Sequence, residues 1–255
     1  MSTDLKVLEA KYVQRVEGLV GLARQGNLDA FGALVIKDQD GSPIELAPIH
    51  RSWSAFVPWC WQQGLYAGIL APWRHGKTTL CTIRLALWEI GKNPDVRVRI
   101  ICADDDEAIL RVSAIRRYLE SPEYRWIFPH IEPGRLGDWS KHRLFVNRTS
   151  PGPDPTLEAA GVFTGEAGGG NDLIVLDDIV TYQNSILRPS LRNQVFDVMS
   201  AVWLRRVEPD TRIVAVGTTW HVDDAYQKLR KQGGRWRWLV QGVSDDFERI
   251  DCHVD

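Results

Sequence analysis

Residues 65–80 read LYAGILAPWRHGKTTL. An apolar run, Leu65 to Leu70, passes into a loop that closes on Gly76-Lys77-Thr78, and a new apolar-periodic segment begins immediately after. A phosphate-binding loop needs these parts in this order. A strand delivers the chain to a turn whose backbone N–H groups converge on an anion. A lysine meets the β- and γ-phosphates, a hydroxyl serves Mg²⁺, and a helix N-terminus stands behind the turn. The candidate nucleotide contacts are Pro72, Trp73, Arg74, His75, Gly76, Lys77, Thr78 and Thr79. Ala71 stands where the usual pattern begins with glycine. Arg74 is read as a contact to the γ-phosphate or a sensor of its loss, and a solvated arginine is the alternative. His75 is read as fixing the loop. The plainer reading of the whole segment is a strand-to-helix turn with an exposed lysine.

A second element lies about 100 residues on. Leu173-Ile174-Val175-Leu176 is apolar throughout and ends in Asp177-Asp178. A buried strand ending in acid places that acid in the crevice where open α/β sheets bind ligands. Asp177 then suits Mg²⁺, and Asp178 suits orientation or deprotonation of an attacking water. Two solvated acids at a strand end are the alternative. A third element has the same form: Arg212–Val216 is apolar after its first residue and runs into Gly217-Thr218-Thr219-Trp220-His221. Gly217, Thr218 and Thr219 are placed to feel the γ-phosphate and pass its state to a helix over 223–231, which Asp223 or Asp224 would cap.

The rest of the chain alternates in the same rhythm. Helices are expected over 4–24, 49–63, 78–90, 105–119 and 186–206, the last broken near Pro189, with strands over 96–102, 143–146, 157–162 and 236–240. Apolar strands without polar alternation, separated by helices, imply a parallel sheet covered on both faces. The chain has 255 residues, 44% hydrophobic and 25% charged, with a net charge of −2. A dedicated duplex-binding domain is strongly basic, so a simple DNA-binding module is disfavoured, whereas a motor gripping DNA with a few residues per subunit is not. No apolar run approaches the ~20 residues of a membrane span, and the N-terminus lacks a signal-peptide core, which points to a cytoplasm. Cys60, Cys81, Cys102 and Cys252 form no CxxC pair, so buried free thiols are expected. Eleven tryptophans are many for this length. Those around 53–61, with His50 near them, read either as a lid over a nucleotide base or as core.

With its three elements in order, the chain resembles the ATPase domain of the large terminase subunit of tailed bacteriophages. The resemblance covers most of residues 27–240. It rests on Asn27 with Phe31, on His50-Arg51-Ser52-Trp53, on the loop Arg74-His75-Gly76-Lys77-Thr78 (Trp73 standing in a proline position), on 172–178, and on 217–221. It implies an α/β P-loop NTPase with a RecA-like, mostly parallel sheet and helices on both faces. An N-terminal helical extension would span 1–48, the ATPase domain 49–245 and a tail 246–255. It implies ATP and Mg²⁺ as cofactors, with Lys77, Asp178 and Arg74 catalytic, Thr78 and Asp177 on the metal, and His50 near the nucleotide. Asp178 occupies a position that is often glutamate in the family. An arginine supplied by the neighbouring subunit is also implied, with Arg143 and Arg148 as candidates. The implied partners are double-stranded DNA, the portal protein and the small terminase subunit. The implied setting is a homo-oligomeric ring on a procapsid in the cytoplasm of the infected host, a monomer being the alternative for the isolated chain. Family members carry a nuclease domain after the ATPase; this sequence ends at Asp255, and no DNA cleavage is expected of it.

Three other readings stay open at this stage. One is a helicase-like ATPase, and one is a nucleotide-binding interaction module with little activity alone. The third is a metal nuclease built on Asp104, Asp105, Asp106 and Asp177, although the first three equally suit a helix cap. The basic stretch Lys228, Arg230, Lys231, Arg235 and Arg237, interleaved with Trp236 and Trp238, reads as a DNA contact or as an exposed helix end.

Overall fold

The computed structural model describes residues 3–38, 40–134, 139–164, 169–205, 207–243 and 250–254. In chain order its elements are α1 (Thr3–Arg24), α2 (Leu28–Val35), α3 (Pro48–Gln62), β1 (Tyr66–Leu70), α4 (Arg84–Lys92), β2 (Val98–Cys102), α5 (Asp105–Leu119) and α6 (Pro122–Ile127). There follow β3 (Arg143–Leu144), β4 (Leu157–Gly161), β5 (Leu173–Asp177), α7 (Pro189–Val198), β6 (Arg212–Gly217), α8 (Ala225–Gln232), β7 (Trp236–Val243) and β8 (Ile250–Val254). Three π-wound segments join them: Thr78–Ile83 leads directly into α4, and Gln183–Leu187 and Met199–Trp203 flank α7.

The strands form one sheet in the order β3-β4-β2-β5-β6-β1-β7-β8, parallel except at its two edges, where β3 and β8 run antiparallel. Side chains alternate across a strand, and here the alternation sorts the core into two layers. Ala67, Ile69, Val98, Ile100, Val175 and Val216 face one layer, beneath α2 to α6. Leu70, Ile101, Ile174, Leu176, Ile213 and Trp238 face the other, beneath α7 and α8, where they meet Val195, Met199, Tyr226 and Leu229. Both faces are covered, which is why β2 and β5 are buried at every position. The expected α/β fold, a RecA-like sheet with helices on both faces, is the fold observed.

Local chemistry sets the helix ends. Asp104 caps α5 by accepting the Glu107 N–H at 2.9 Å, and Asp224 caps α8 by accepting the Gln227 N–H at 3.0 Å. Asp223 instead pairs with Lys231. Asn27 caps α2 by accepting from Ala30 N–H at 2.8 Å. That helix was not anticipated from its eight residues, yet Phe31 packs among Trp88, Tyr124 and Phe128. The second half of the N-terminal extension therefore belongs to the same core as the sheet. Arg188 is held away from helical geometry by the proline that follows it, so the segment expected as a helix over 186–206, broken near Pro189, is two pieces, 183–187 and 189–203, with the break at Arg188. Two further elements differ from expectation. The short helix α6 was not foreseen. The tail contributes β8, which pairs with β7 from Leu239↔Val254 to Val243↔Ile250. Residues 246–249 and Asp255 of the tail, and the Cys252 side chain, lie outside what the structure describes.

Candidate nucleotide site

The parallel strands bring three sequence-distant segments to one edge. Leu70 pairs with Gly217 and Asp177 with Val216, so β1, β6 and β5 end side by side, with β6 between the other two. Neighbouring strands lie about 4.8 Å apart, so the loops that follow them are within side-chain reach of one another.

The loop after β1 takes its shape from two left-handed residues, Arg74 (φ 58°) and Gly76 (φ 73°). Glycine adopts that region without strain, whereas arginine does so at a cost. Ala71 has no such requirement. Its N–H donates to Gly217 O at 3.2 Å and extends the β1 ladder by one residue, which accounts for the missing first glycine. Lys77 is buried, and its Nζ donates to Pro72 O at 2.8 Å and to Thr218 Oγ1 at 3.0 Å. Thr218 in turn donates to Ala71 O at 3.1 Å. Burial lowers the Lys77 pKa, opposed by the charges of Asp178 and Asp177. Thr79 is half-buried, and its carbonyl accepts the Arg84 N–H across the π-wound turn.

Thr78 Oγ1 donates to Asp177 Oδ1 at 3.3 Å. The other carboxylate oxygen, Oδ2, accepts from Arg111 Nε at 2.6 Å, and Asp177 is fully buried. Asp178 leaves the strand in the left-handed region, φ 47°, while its N–H donates to Val216 O at 2.9 Å. Short polar residues tolerate that conformation. Burial, reinforced by the negative charge of Asp177, pushes the Asp178 carboxyl up to about 6, against the pull of Lys77 and Arg111. Beneath this corner the Tyr226 hydroxyl accepts the Ile179 N–H at 3.0 Å and donates to Val216 O at 2.9 Å. The ring presses on Gly217: a Cβ there would lie 2.4 Å from Tyr226 Cε2. Gly217 is thus fixed by packing, and Thr219 is half-buried beside Thr218.

The loop's outer side is held by histidines. The Ala47 N–H donates to His50 Nδ1 at 3.1 Å, which leaves Nε2 as the protonated nitrogen that donates to His75 O at 3.1 Å. Burial lowers the His50 pKa and favours this neutral form. His75 Nδ1 donates to Trp73 O at 2.6 Å, a bond made within the loop itself. His50, Arg74 and His75 border an open groove of ≈ 1100 Å³ whose far wall includes Leu34, Ile44 and Trp126. Arg74 is exposed. Trp53 is core, not lid: its Nε1 donates to Gln241 Oε1 at 2.5 Å. Trp236 and Trp238 are likewise buried and stacked.

The two arginines considered for action in trans lie at the β3 edge of the sheet, five strands from β1. Arg143 is 58% exposed and pairs with Glu158 at 2.8 Å. Arg148 is 8% exposed and is held by the carbonyls of Asp154 and Asp95. Both are engaged within their own chain, and they differ in exposure, Arg148 being buried and Arg143 open to solvent. Sequence reasoning missed Arg111 and Arg84. Arg84 is 1% exposed beneath the loop helix and donates to Leu80 O at 3.1 Å, Ser54 Oγ at 2.9 Å and Asp29 Oδ1 at 3.3 Å. It ties α2 and α3 to the helix that carries Lys77.

Hard oxygen donors with few protein ligands suit Mg²⁺, which retains waters and phosphate oxygens. The Thr78 hydroxyl and Asp177 Oδ1 form such a pair, and the residues fit that ion. Among the described residues, no group of three or more His, Cys, Asp or Glu is placed to hold a metal. Asp104 caps its helix, and Asp105 accepts from Gly161 N–H and Thr164 Oγ1. None of the helices, among the described residues, is long and apolar enough to cross a membrane.

Sheet order, the loop after β1 and the acidic end of β5 define the fold class: a RecA-like α/β fold with a mostly parallel sheet covered on both faces. No family model and no curated protein matches the sequence. Among solved structures, the large terminase of bacteriophage HK97 is similar in fold, with a TM-score of 0.57 over 86% of this chain at 13% identity. The chain spans 44% of that terminase's length. A variant of Dbp5 from S. cerevisiae, bound to Gle1 and IP6, superposes more loosely, with a TM-score of 0.41 and 13% identity over 78% of this chain and 51% of that one.

Proposed function

We infer that this chain is the ATP-hydrolysing motor domain of a phage large terminase, driving double-stranded DNA into a procapsid. The observation that supports the reading most is the convergence, in a fold shared with a large terminase, of Lys77 on Thr218 and of Thr78 on Asp177. In this reading residues 72–79 cradle the phosphates of ATP at a helix N-terminus, and Lys77 meets the β- and γ-phosphates. Thr78 and Asp177 would hold Mg²⁺, which would supply charge neutralisation at the phosphates. Asp178 accepts a hydrogen bond from the attacking water and takes its proton. Arg74 stabilises charge on the γ-phosphate. Because Lys77 already bonds Thr218, a change in what Lys77 touches is felt directly by residues 217–219 and, through Asp224, by α8. His50 sets the loop through His75 O, on the side where the base would lie.

The partners in this reading are duplex DNA, the portal protein and the small terminase subunit, in a ring of copies on a procapsid in the infected cell's cytoplasm. Arg143 is the candidate presented to a neighbouring copy. The remoteness of both trans candidates from β1 also favours a second reading of the isolated chain, as a nucleotide-binding module that turns over slowly until it assembles. A packaging assay tests the motor. Procapsids, DNA and ATP should yield nuclease-protected DNA with the parent protein and none with Lys77→Ala. Equal protection with both would overturn it.

A further inference from the structure

Asp177 is gripped from both sides, and only one of the grips belongs to the phosphate loop. Thr78 donates to Oδ1, while Arg111, from the first half of α5, donates to Oδ2. Arg111 is itself clamped: its Nη1 lies 2.7 Å from Glu107 Oε2, one turn back on the same helix. Its guanidinium is 14% exposed, and Asp177 is fully buried. Such a fork presents fixed, directional donors, which a lysine ammonium does not.

An unrestrained carboxylate rotates and can chelate a cation with both oxygens. Mg²⁺ demands a near-octahedral shell and takes carboxylates sparingly. A guanidinium fixed on Oδ2 stops the rotation and leaves Oδ1 beside the threonine hydroxyl. The same positive charge, close to a divalent ion, opposes that ion's binding, since unit charges a few ångströms apart interact strongly in a buried site. Glu107 offsets part of the opposition. Arg111 thus has two separable effects on one carboxylate, orientation and charge.

We propose that Arg111 is a positioning residue for the metal site: it holds Asp177 by Oδ2, reserves Oδ1 for the metal, and moderates the metal's affinity. The inference rests on the nucleotide-site reading above. Its test uses the full chain with a non-hydrolysable ATP analogue, with Mn²⁺ as the probe titrated by electron paramagnetic resonance, and with steady-state ATPase rates measured alongside. Arg111→Gln removes the charge and the fork. Mn²⁺ should bind about tenfold more tightly, as loss of a nearby cation dictates, while kcat falls about a hundredfold because the ligand is no longer aligned. Arg111→Lys keeps the charge and loses the fork. Metal affinity should stay within about twofold of the parent while kcat still falls about tenfold. A merely structural arginine would weaken metal and turnover together, so opposite movements are the signature. Unchanged or weaker Mn²⁺ binding in Arg111→Gln overturns the inference, as does full turnover in Arg111→Lys. Should Arg111→Gln not fold, the lysine variant decides alone. If the parent chain fails to take up Mn²⁺ with the nucleotide analogue, the site reading itself has failed; if only the variants depart from expectation, the fault lies with Arg111.

Discussion

Replacing Asp178 by asparagine should stabilise the protein while abolishing its turnover. The carboxyl is raised from 3.8 to about 6, chiefly by burial and then by Asp177. A folded-state value above the unfolded one means that the folded protein favours the protonated acid. At neutral pH the group is ionised in both states, and the folded state carries the penalty. That penalty is absent below about pH 4, grows between about 4 and 6, and is complete above. A tenfold change in proton affinity is about 1.4 kcal/mol, so the full effect is at most about 3 kcal/mol, and roughly 2 after allowing for solvent in an open crevice. Asparagine tolerates the left-handed backbone at this position as well as aspartate does, so no strain is added. Thermal unfolding at pH 7 should show Asp178→Asn melting about 4–8 °C above the parent, with the difference vanishing near pH 4. ATPase activity should fall by about 10²–10⁴, and the parent's rate should drop on the acid side near pH 6. Equal or lower stability of the variant at pH 7 would refute the burial argument, and retained turnover would refute the catalytic assignment.

Two more outcomes follow from the packing around the site, and a third concerns the β3 edge of the sheet. Arg84→Met leaves Leu80 O, Ser54 and the partly exposed Asp29 without their shared donor; losing these hydrogen bonds should cost about 1–3 kcal/mol, read by urea denaturation, with unaltered stability counting against it. Tyr226→Phe removes one hydroxyl that serves two buried backbone groups, Ile179 N–H and Val216 O. Its unfolding free energy should fall by about 1–3 kcal/mol, and a neutral result would mean that water replaces the phenol. Arg143→Ala subunits mixed with parent subunits should depress the assembled ATPase more than in proportion to their share. A strictly proportional fall would remove Arg143 as a residue acting on a neighbour.

Much of the fold was written locally. The apolar run before the loop, the one ending in Asp177 and the one ending in Gly217 are buried on both faces, and their burial left no room for polar alternation. The caps at Asp104 and Asp224 were legible for the same reason: one side chain and one backbone N–H decide them. What failed was non-local or short. The eight residues of α2 hold their place through Phe31 against three aromatic rings from α4, α6 and the segment after it. The strand β8 exists because β7 offers it an edge. Arg111 and Arg84 carried no signal at all, because a guanidinium reaches a carboxylate 66 or 55 positions away only once the sheet has formed. Of the candidate site, the loop with its His75, the acids after β5 and Thr218 after β6 carried a local signal, whereas Arg111 and Arg84, which hold Asp177 and the helix behind the loop, did not.

The account stands most directly on the ATPase rate of the chain measured against its own concentration, with and without procapsids and duplex DNA. It predicts a slow basal rate that requires Lys77 and Mg²⁺ and rises cooperatively as copies assemble. A rate per chain that is independent of concentration and indifferent to procapsids and DNA would contradict the motor, and no Lys77-dependent hydrolysis under any of these conditions would contradict the site itself.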